Sequence, residues 1–290
     1  MAGTPGVHSM KIGISMFPTD YSPDIAIIAR RAEELGFESL WVPEHAVLPV
    51  DVSTSRPGSG EGTIPKLYAD IADPFVALSR ASAVTERLKL GTAICLVPEH
   101  NPLLLAKEVA SLDMYSGGRF LFGIGAGWLR EETEILGGDF DHRWGQTKES
   151  VLAMKELWTQ TKSEFHGKFY DFPAVYSFPR PVQRPHPPVL LGGMAENVFK
   201  RVVAWGDGWI PNRVTPEDVR EGRMKLDELA RDAGRDPASI QIIVSGQPPD
   251  SDLIKQYEDA GAVRVVVRLA AMDEDQTMEG LDRIAEAVLA

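Results

Sequence analysis

The chain has 290 residues, a formal net charge of −12 and 43% hydrophobic residues, the profile of a soluble globular protein with one large domain or two small ones. No apolar run is long enough to span a membrane, and the acidic balance argues against nucleic acid as a partner, which needs a basic footprint. The single cysteine, Cys95, precludes an internal disulfide and fits a reducing cytoplasm.

Residues 1–9 hold no hydrophobic segment and read as a tag or loose arm, not a signal peptide. Periodic structure begins at Met10. Lys11–Phe17 reads as a first strand. Ser22-Pro23 opens a helix with Ile25, Ile28, Ala29, Ala32 and Leu35 on one face. Ser39–His45 is a second strand, and Asp73-Pro74 opens the next helix. Leu88–Val97 is a third strand, in which Cys95 reads as a buried, inert thiol. Asn101-Pro102 opens the third helix, Arg119–Gly127 is a fourth strand, and 142–161 is a long amphipathic helix. Val189–Gly193, Gly208–Asn212, Ile240–Gly246 and Val263–Leu269 complete the strands, each followed by a helix; Thr215-Pro216 opens one of these. Proline just after a capping Ser, Asp, Asn or Thr is the expected helix start.

Eight strand–helix units at this length match a (β/α)8 TIM barrel, typically ~250 residues, filling 10–290 as one domain. Several strands are near-continuous apolar runs, as parallel strands covered on both faces should be. A doubly wound sheet is the runner-up. Three segments exceed an ordinary connection: 46–72, with its Gly/Ser-rich "STSRPGSGEGTIP"; 128–141; and 162–187. The first two extend strand C-terminal ends, where barrel active sites lie.

Three motifs carry candidate chemistry. "GIGAGW" (123–128) does not fit a dinucleotide fingerprint, because the spacing is G-x-G-x-G and the strand is the fourth. Alone, it reads as a glycine-rich corner of the barrel. "VPEH" occurs twice, at 42–45 and 97–100, each time ending a strand. His45 and Glu44 are candidates for proton transfer near neutral pH, with a rim position as the alternative. A metal site lacks the usual ligand spacing. Finally, "LLGGMAENVFKRV" (190–202) is a strand, a glycine pair and a helix; free backbone N–H groups there suit an anion, although an ordinary βα turn has the same form.

Together, "LKLGTAICLVPEHNPLLLAKEVASLDMYSGGRFLFGIGAGWLREE" and "LLGGMAENVFKRVVAWGDGWIPN" resemble the luciferase-like monooxygenase superfamily, in particular its actinobacterial branch that uses the deazaflavin F420. The resemblance covers nearly the whole chain from Met10. It implies a bulge in the third strand near Ala93-Ile94, often with a non-prolyl cis peptide, that backs the tricyclic ring. It places Gly125, Gly127 and Trp128 beside the ring and ribityl chain, and Gly192, Gly193 and Met194 at the phosphate. His45, preceded by Glu44, falls where relatives have an Asp-His pair near the ring. Sugar-phosphate dehydrogenases of the superfamily have a carboxylate where this chain has Trp128, which argues against that substrate. The acidic tail of F420 would need basic residues at the rim, for which Arg130, Arg143, Lys200 and Arg213 are candidates by chain position.

The expected function is therefore a cytoplasmic F420-dependent oxidoreductase that moves hydride between the deazaflavin and a small organic substrate. His45 would serve as proton donor or orienter with Glu44 behind it, and no metal is expected. A homodimer is expected through the second and third helices. The alternatives are an FMN-dependent monooxygenase of the same fold, a metal-dependent barrel hydrolase using the two Glu-His pairs, and a non-catalytic ligand-binding barrel.

Overall fold

A computed structural model describes residues 10–52 and 64–289. The N-terminal arm and most of the Gly/Ser-rich segment (53–63) lie outside the described residues. Strands β1 (Lys11–Ser15), β2 (Ser39–Val42), β3 (Lys89–Thr92), β4 (Cys95–Leu96) and β5 (Phe120–Gly125) alternate with helices α1 (Ile25–Leu35), α2 (Pro74–Ser82) and α3 (Pro102–Tyr115). After β5 come α4 (Arg130–Ile135), α5 (Arg143–Thr159) and a hairpin of β6 (Ser163–His166) and β7 (Asp171–Val175). The rest is β8 (Val189–Gly192), α6 (Val198–Trp205), β9 (Gly208–Ile210), α7 (Pro216–Asp232), β10 (Gln241–Gln247), α8 (Ser251–Asp259), β11 (Arg264–Arg268) and α9 (Glu274–Val288).

All strands but the hairpin join one parallel sheet. It runs β3-β2-β1-β11-β10-β9-β8-β5-β4 and closes through an additional β3–β5 pairing. With β3 and β4 counted as one broken strand, this is an eight-position TIM barrel. Its interior is an apolar column of Trp41, Leu121, Leu190, Ile210, Ile243 and Val266, on which Ala93 and Ile94 pack. Each of these buried side chains contributes on the order of 1.5–3 kcal/mol by leaving water. A larger apolar shell lies between strands and helices. Among the described residues, no helix is long and apolar enough to cross a membrane.

The proline-marked helix starts form as their capping chemistry dictates. The Asp73 carboxylate accepts from the Val76 amide, Asn101 from that of Leu103, and Thr215 closes a capping box with Asp218. The first helix differs from expectation. Its cap is Asp24, which accepts from the Ala26 amide, because the Ser22 hydroxyl is engaged with the Thr19 carbonyl.

The third strand is not continuous. It leaves the sheet after Thr92 and returns at Cys95, and the peptide bond between Ala93 and Ile94 is cis. Two of the segments that exceed an ordinary connection hold structure, α4 within 128–141 and the β6–β7 hairpin within 162–187. The hairpin forms because Phe165 and Phe172 pair across it with ring centroids 6.3 Å apart. The Glu149 carboxylate on α5 accepts from the turn amides of Lys168 (3.0 Å) and Phe169 (2.7 Å). These contacts lie across the fold, so the local pattern of polar and apolar residues does not announce them.

Candidate active site

The C-terminal strand ends converge on one mouth. β2 delivers Glu44 and His45, the β3–β4 break delivers Ala93 and Ile94, and the turn after β4 delivers Glu99 and His100. β5 leads to Gly125, Gly127 and Trp128, α4 carries Glu132 and Thr133, and β8 ends at Gly192.

His45 is fixed by a partner 87 residues away. Its Nδ1 donates to Glu132 Oε2 at 2.6 Å, and the two side chains are 6% and 1% exposed. Tyr68 and Trp128 meet the imidazole edge-on, with ring centroids 5.1 and 5.8 Å from it. A histidine with one nitrogen engaged and its ring walled by aromatics has a set orientation, which leaves Nε2 for another partner. Trp128 therefore packs on His45 as well as ending the glycine-rich stretch.

Glu44 does not stand behind His45. Successive residues at the end of a strand point opposite ways, and the Glu44 carboxylate turns toward the β4 side. There Oε2 accepts from the Leu96 amide at 2.5 Å and Oε1 from His100 Nε2 at 2.9 Å. Burial alone would raise the Glu44 carboxyl, but the bond and charge of His100, with the Leu96 amide, hold it below its ordinary value. The same pairing outweighs the effect of burial on His100 and raises it. The two VPEH tetrapeptides are thus cross-linked, the glutamate of the first holding the histidine of the second.

Cys95 joins this group. Its burial pushes the thiol well above its usual range, with the Glu44 charge adding to the shift. Glu44, Cys95 and His100 have ligand-type atoms within 4.8 Å of one another, a meeting that sequence spacing does not reveal. Both Glu44 oxygens already accept protein hydrogen bonds, so the trio is accounted for as a hydrogen-bonded network.

The glycines of β5 make room for protein. A Cβ at Gly125 would lie 2.1 Å from Ile94 Cδ1, and one at Gly192 would lie 3.0 Å from the same atom. Ile94 therefore fills the space that the two missing side chains leave, forming a floor above the barrel column. Gly127 has φ +77°. A side chain there would also crowd Thr133 Oγ1 at 2.8 Å and Glu99 Oε1 at 3.2 Å, so glycine is required on both counts.

On the far side, the β8–α6 turn carries Gly193 and the exposed Met194. Gly193 has φ +108°, and its carbonyl accepts from Trp209 Nε1 at 2.9 Å. The α6 N-cap, Asn197, makes no side-chain cap bond. Next to this turn lies a cavity of about 340 Å³ lined by Arg143, Trp144, Lys168, Phe169 and Arg201, among others. Trp144 approaches within 3.8 Å of where a Gly193 Cβ would sit, and the Arg201 guanidinium lies 4.2 Å over the Trp144 ring. Arg143 Nε and Arg201 Nη1 are buried donors with no partner. Burial lowers both guanidinium groups, and the Arg143 charge lowers Arg201 further. Of the basic residues expected at the rim, only Arg143 lines this cavity; Arg130 is paired with Glu134 and Asp141. The hairpin turn contributes Lys168 and Phe169, which the sequence reading of 162–187 as an over-long connection does not place.

Glu132 and Arg201 are the functional candidates that the sequence pattern does not single out. Glu132 lies in the long 128–141 connection, where the sequence reading marks no helix, yet it is fully buried.

The luciferase-like monooxygenase family model matches residues 10–252. An uncharacterised protein of Mycobacterium tuberculosis is 36% identical over 280 residues, covering 95% of this chain and 98% of that one. An FMNH2-dependent dimethylsulfone monooxygenase of Pseudomonas putida is 34% identical over 233 residues, covering 78% of this chain and 57% of that one. An F420-dependent glucose-6-phosphate dehydrogenase of Amycolatopsis mediterranei is 30% identical over 252 residues, covering 81% and 69%. With its closed barrel, its broken third strand and the match over most of its length, the chain belongs to the luciferase-like monooxygenase family, an oxidoreductase family with both F420- and FMN-dependent members.

Proposed function

We propose that the protein is an F420-dependent oxidoreductase that transfers hydride between the deazaflavin and a small organic substrate. The observation that carries this reading is the pair of buried, unpartnered donors, Arg143 Nε and Arg201 Nη1, in a cavity beside the Gly193 turn. Buried polar groups are ordinarily satisfied, so these donors fit an anion absent from the protein itself. Arg143, Lys168 and Arg201 line the cavity together with one carboxylate, Asp141, which Arg130 pairs, so the cations there suit the anionic end of a cofactor with a phosphodiester and an acidic tail. In a chain of net charge −12 such a patch has to be built locally.

When bound, the deazaflavin supplies a carbon centre that accepts or donates hydride. The residues of this chain do the rest. Ala93 and Ile94 form an apolar floor for the ring, Gly192, Gly193 and Met194 line the path to the phosphate, and the Arg143–Arg201 cavity takes the anionic end. His45, held by Glu132, presents Nε2 as the proton donor or acceptor for the substrate oxygen. Trp128 and Tyr68 screen the imidazole from water.

Titration of the purified protein with F420 and, separately, with FMN, followed by fluorescence, tests the reading. F420 binds in the expected outcome, and Arg201→Met weakens it roughly 10- to 100-fold, the worth of a hydrogen bond to a charged group. Tight FMN binding with no F420 binding would instead place the protein with its FMN-dependent relatives.

A homodimer through α2 and α3 completes the proposal. Val76 is 69% and Leu104 65% exposed on these helices, large apolar side chains of the kind that a partner covers. Light scattering should give twice the chain mass for the wild type and a single chain mass for Leu104→Asp. A monomeric wild type rules the dimer out.

A further inference from the structure

Alternate residues of each barrel strand point toward the axis. On β11, Val266 belongs to the apolar column, while Val265 and Val267 join the outer shell. Arg268, the last residue of that strand, therefore falls on the inner side, one layer above Val266 at the C-terminal mouth. It is in register with Ser15, the last residue of β1. The same parity puts Phe17 on the inner side beyond β1, because Ile12, Ile14 and Met16 all belong to the outer shell. It also puts Asn212 and Ser245, which pair as a bridge, above Ile210 and Ile243 of the column.

The contacts agree with this placement. The Arg268 guanidinium carbon lies 5.9 Å from the centroid of the Phe17 ring. Phe17 meets Tyr68 at 5.3 Å, and Tyr68 meets His45 at 5.1 Å, centroid to centroid. An unbroken row of rings thus joins Arg268 to the imidazole around one side of the mouth. Arg264, at the other end of β11, is bound by both oxygens of Glu38. Arg268 is exposed, and among the described residues no carboxylate pairs with it and no hydrogen bond holds its guanidinium. Phe17, His45, Asn212 and Ser245 add no other lysine or arginine to this layer. In a chain of net charge −12, the mouth therefore presents one fixed cation, set apart from the Arg143–Arg201 cavity.

We propose that Arg268 is the specificity-determining residue for substrate, pairing with the carboxylate of a small organic acid whose apolar body lies along Phe17 and Tyr68 toward His45. A single guanidinium matches a carboxylate in both charge and fork geometry, whereas a phosphate dianion calls for more than one cation. The hydride-transfer reading above is what makes the anchored acid a substrate; the anchoring itself is tested without it.

The experiment uses the full chain without cofactor, so a failed F420 titration leaves its result intact. Butanoate and its neutral counterpart butanamide are titrated separately, and binding is followed by ligand-observed NMR. The wild type should bind butanoate about 10-fold more tightly, the lower end of the worth of a hydrogen bond to a charged group, because the site is open to water. Arg268→Met should bind the two alike. Arg268→Lys, which keeps the charge but not the fork, should recover part of the preference. Arg201→Met should keep all of it, which assigns the preference to the mouth and not to the cavity beside Gly193. A wild type that binds acid and amide alike, or neither, overturns the proposal, as does an Arg268→Met protein that retains the preference. Ethyl phosphate binding more tightly than butanoate overturns the assignment to a carboxylate.

Discussion

Replacing His45 by Gln is expected to lower turnover roughly 10²- to 10⁴-fold, the range that a positioned proton-transfer group supplies, while F420 affinity changes little. Gln can still hydrogen-bond to Glu132 but carries no transferable proton at the ring position. Glu132→Gln should give a smaller loss in kcat, because the imidazole keeps a neighbour but loses the charge that its Nδ1 proton faces. The KM for substrate separates this from a folding defect. Loss of a group that acts in the transition state lowers kcat and kcat/KM together. If His45→Gln retains near wild-type turnover, proton transfer belongs to another residue and the site must be reassigned.

Gly123→Ala is expected to be the most destabilising single methyl in the barrel wall, at about 3 kcal/mol, the upper end of the usual range for overpacking. A Cβ there would lie 2.0 Å from the Thr92 carbonyl oxygen and 3.2 Å from its carbon. Both are backbone, and Thr92 is tied to the same residue through its hydroxyl, which donates to the Gly123 carbonyl at 2.7 Å. No side chain can swing aside, so β3 has to move just where it leaves the sheet. Gly125→Ala is the informative contrast. Its obstacle is the tip of Ile94, a flexible side chain that can turn away. Stability should fall by less, while F420 affinity falls because the floor of the mouth is displaced. Denaturant melts and cofactor titrations on the two variants separate the effects. Equal stability losses would mean that Ile94 is as immobile as backbone.

The barrel is legible in the sequence because its signals are local. Proline after Asp73, Asn101 and Thr215 announces three helices, and the apolar runs at 120–125 and 189–192 announce buried parallel strands. The site is legible only in part. The two VPEH stretches attract attention as Glu-His neighbours, yet chain adjacency is a poor guide at a strand end. His45 pairs with Glu132 and Glu44 with His100, across 87 and 56 residues. Glu132 lies in a long connection in which the sequence reading marks no helix, and only closure of the barrel buries it. The G-I-G-A-G alternation suggests room for a ligand. At Gly123 and Gly125 that room is taken by the neighbouring strand, which no reading of one segment can show. The cavity beside Gly193 is assembled from α5, α6 and a hairpin turn, three elements without a shared motif.

The seat of Ile94 has an evolutionary consequence. The side chain is wedged between Gly125 and Gly192 and rests on a column of six buried residues from six strands. A change of size too large for Ile94 to absorb by turning would press on that column, so variation at the floor is expected to be constrained. The segments that hang from the strand ends are under no such restraint. Diversification of substrate choice among related chains should therefore concentrate in the connection after β2 and in the segment between β5 and β8, while the floor is inherited nearly unaltered.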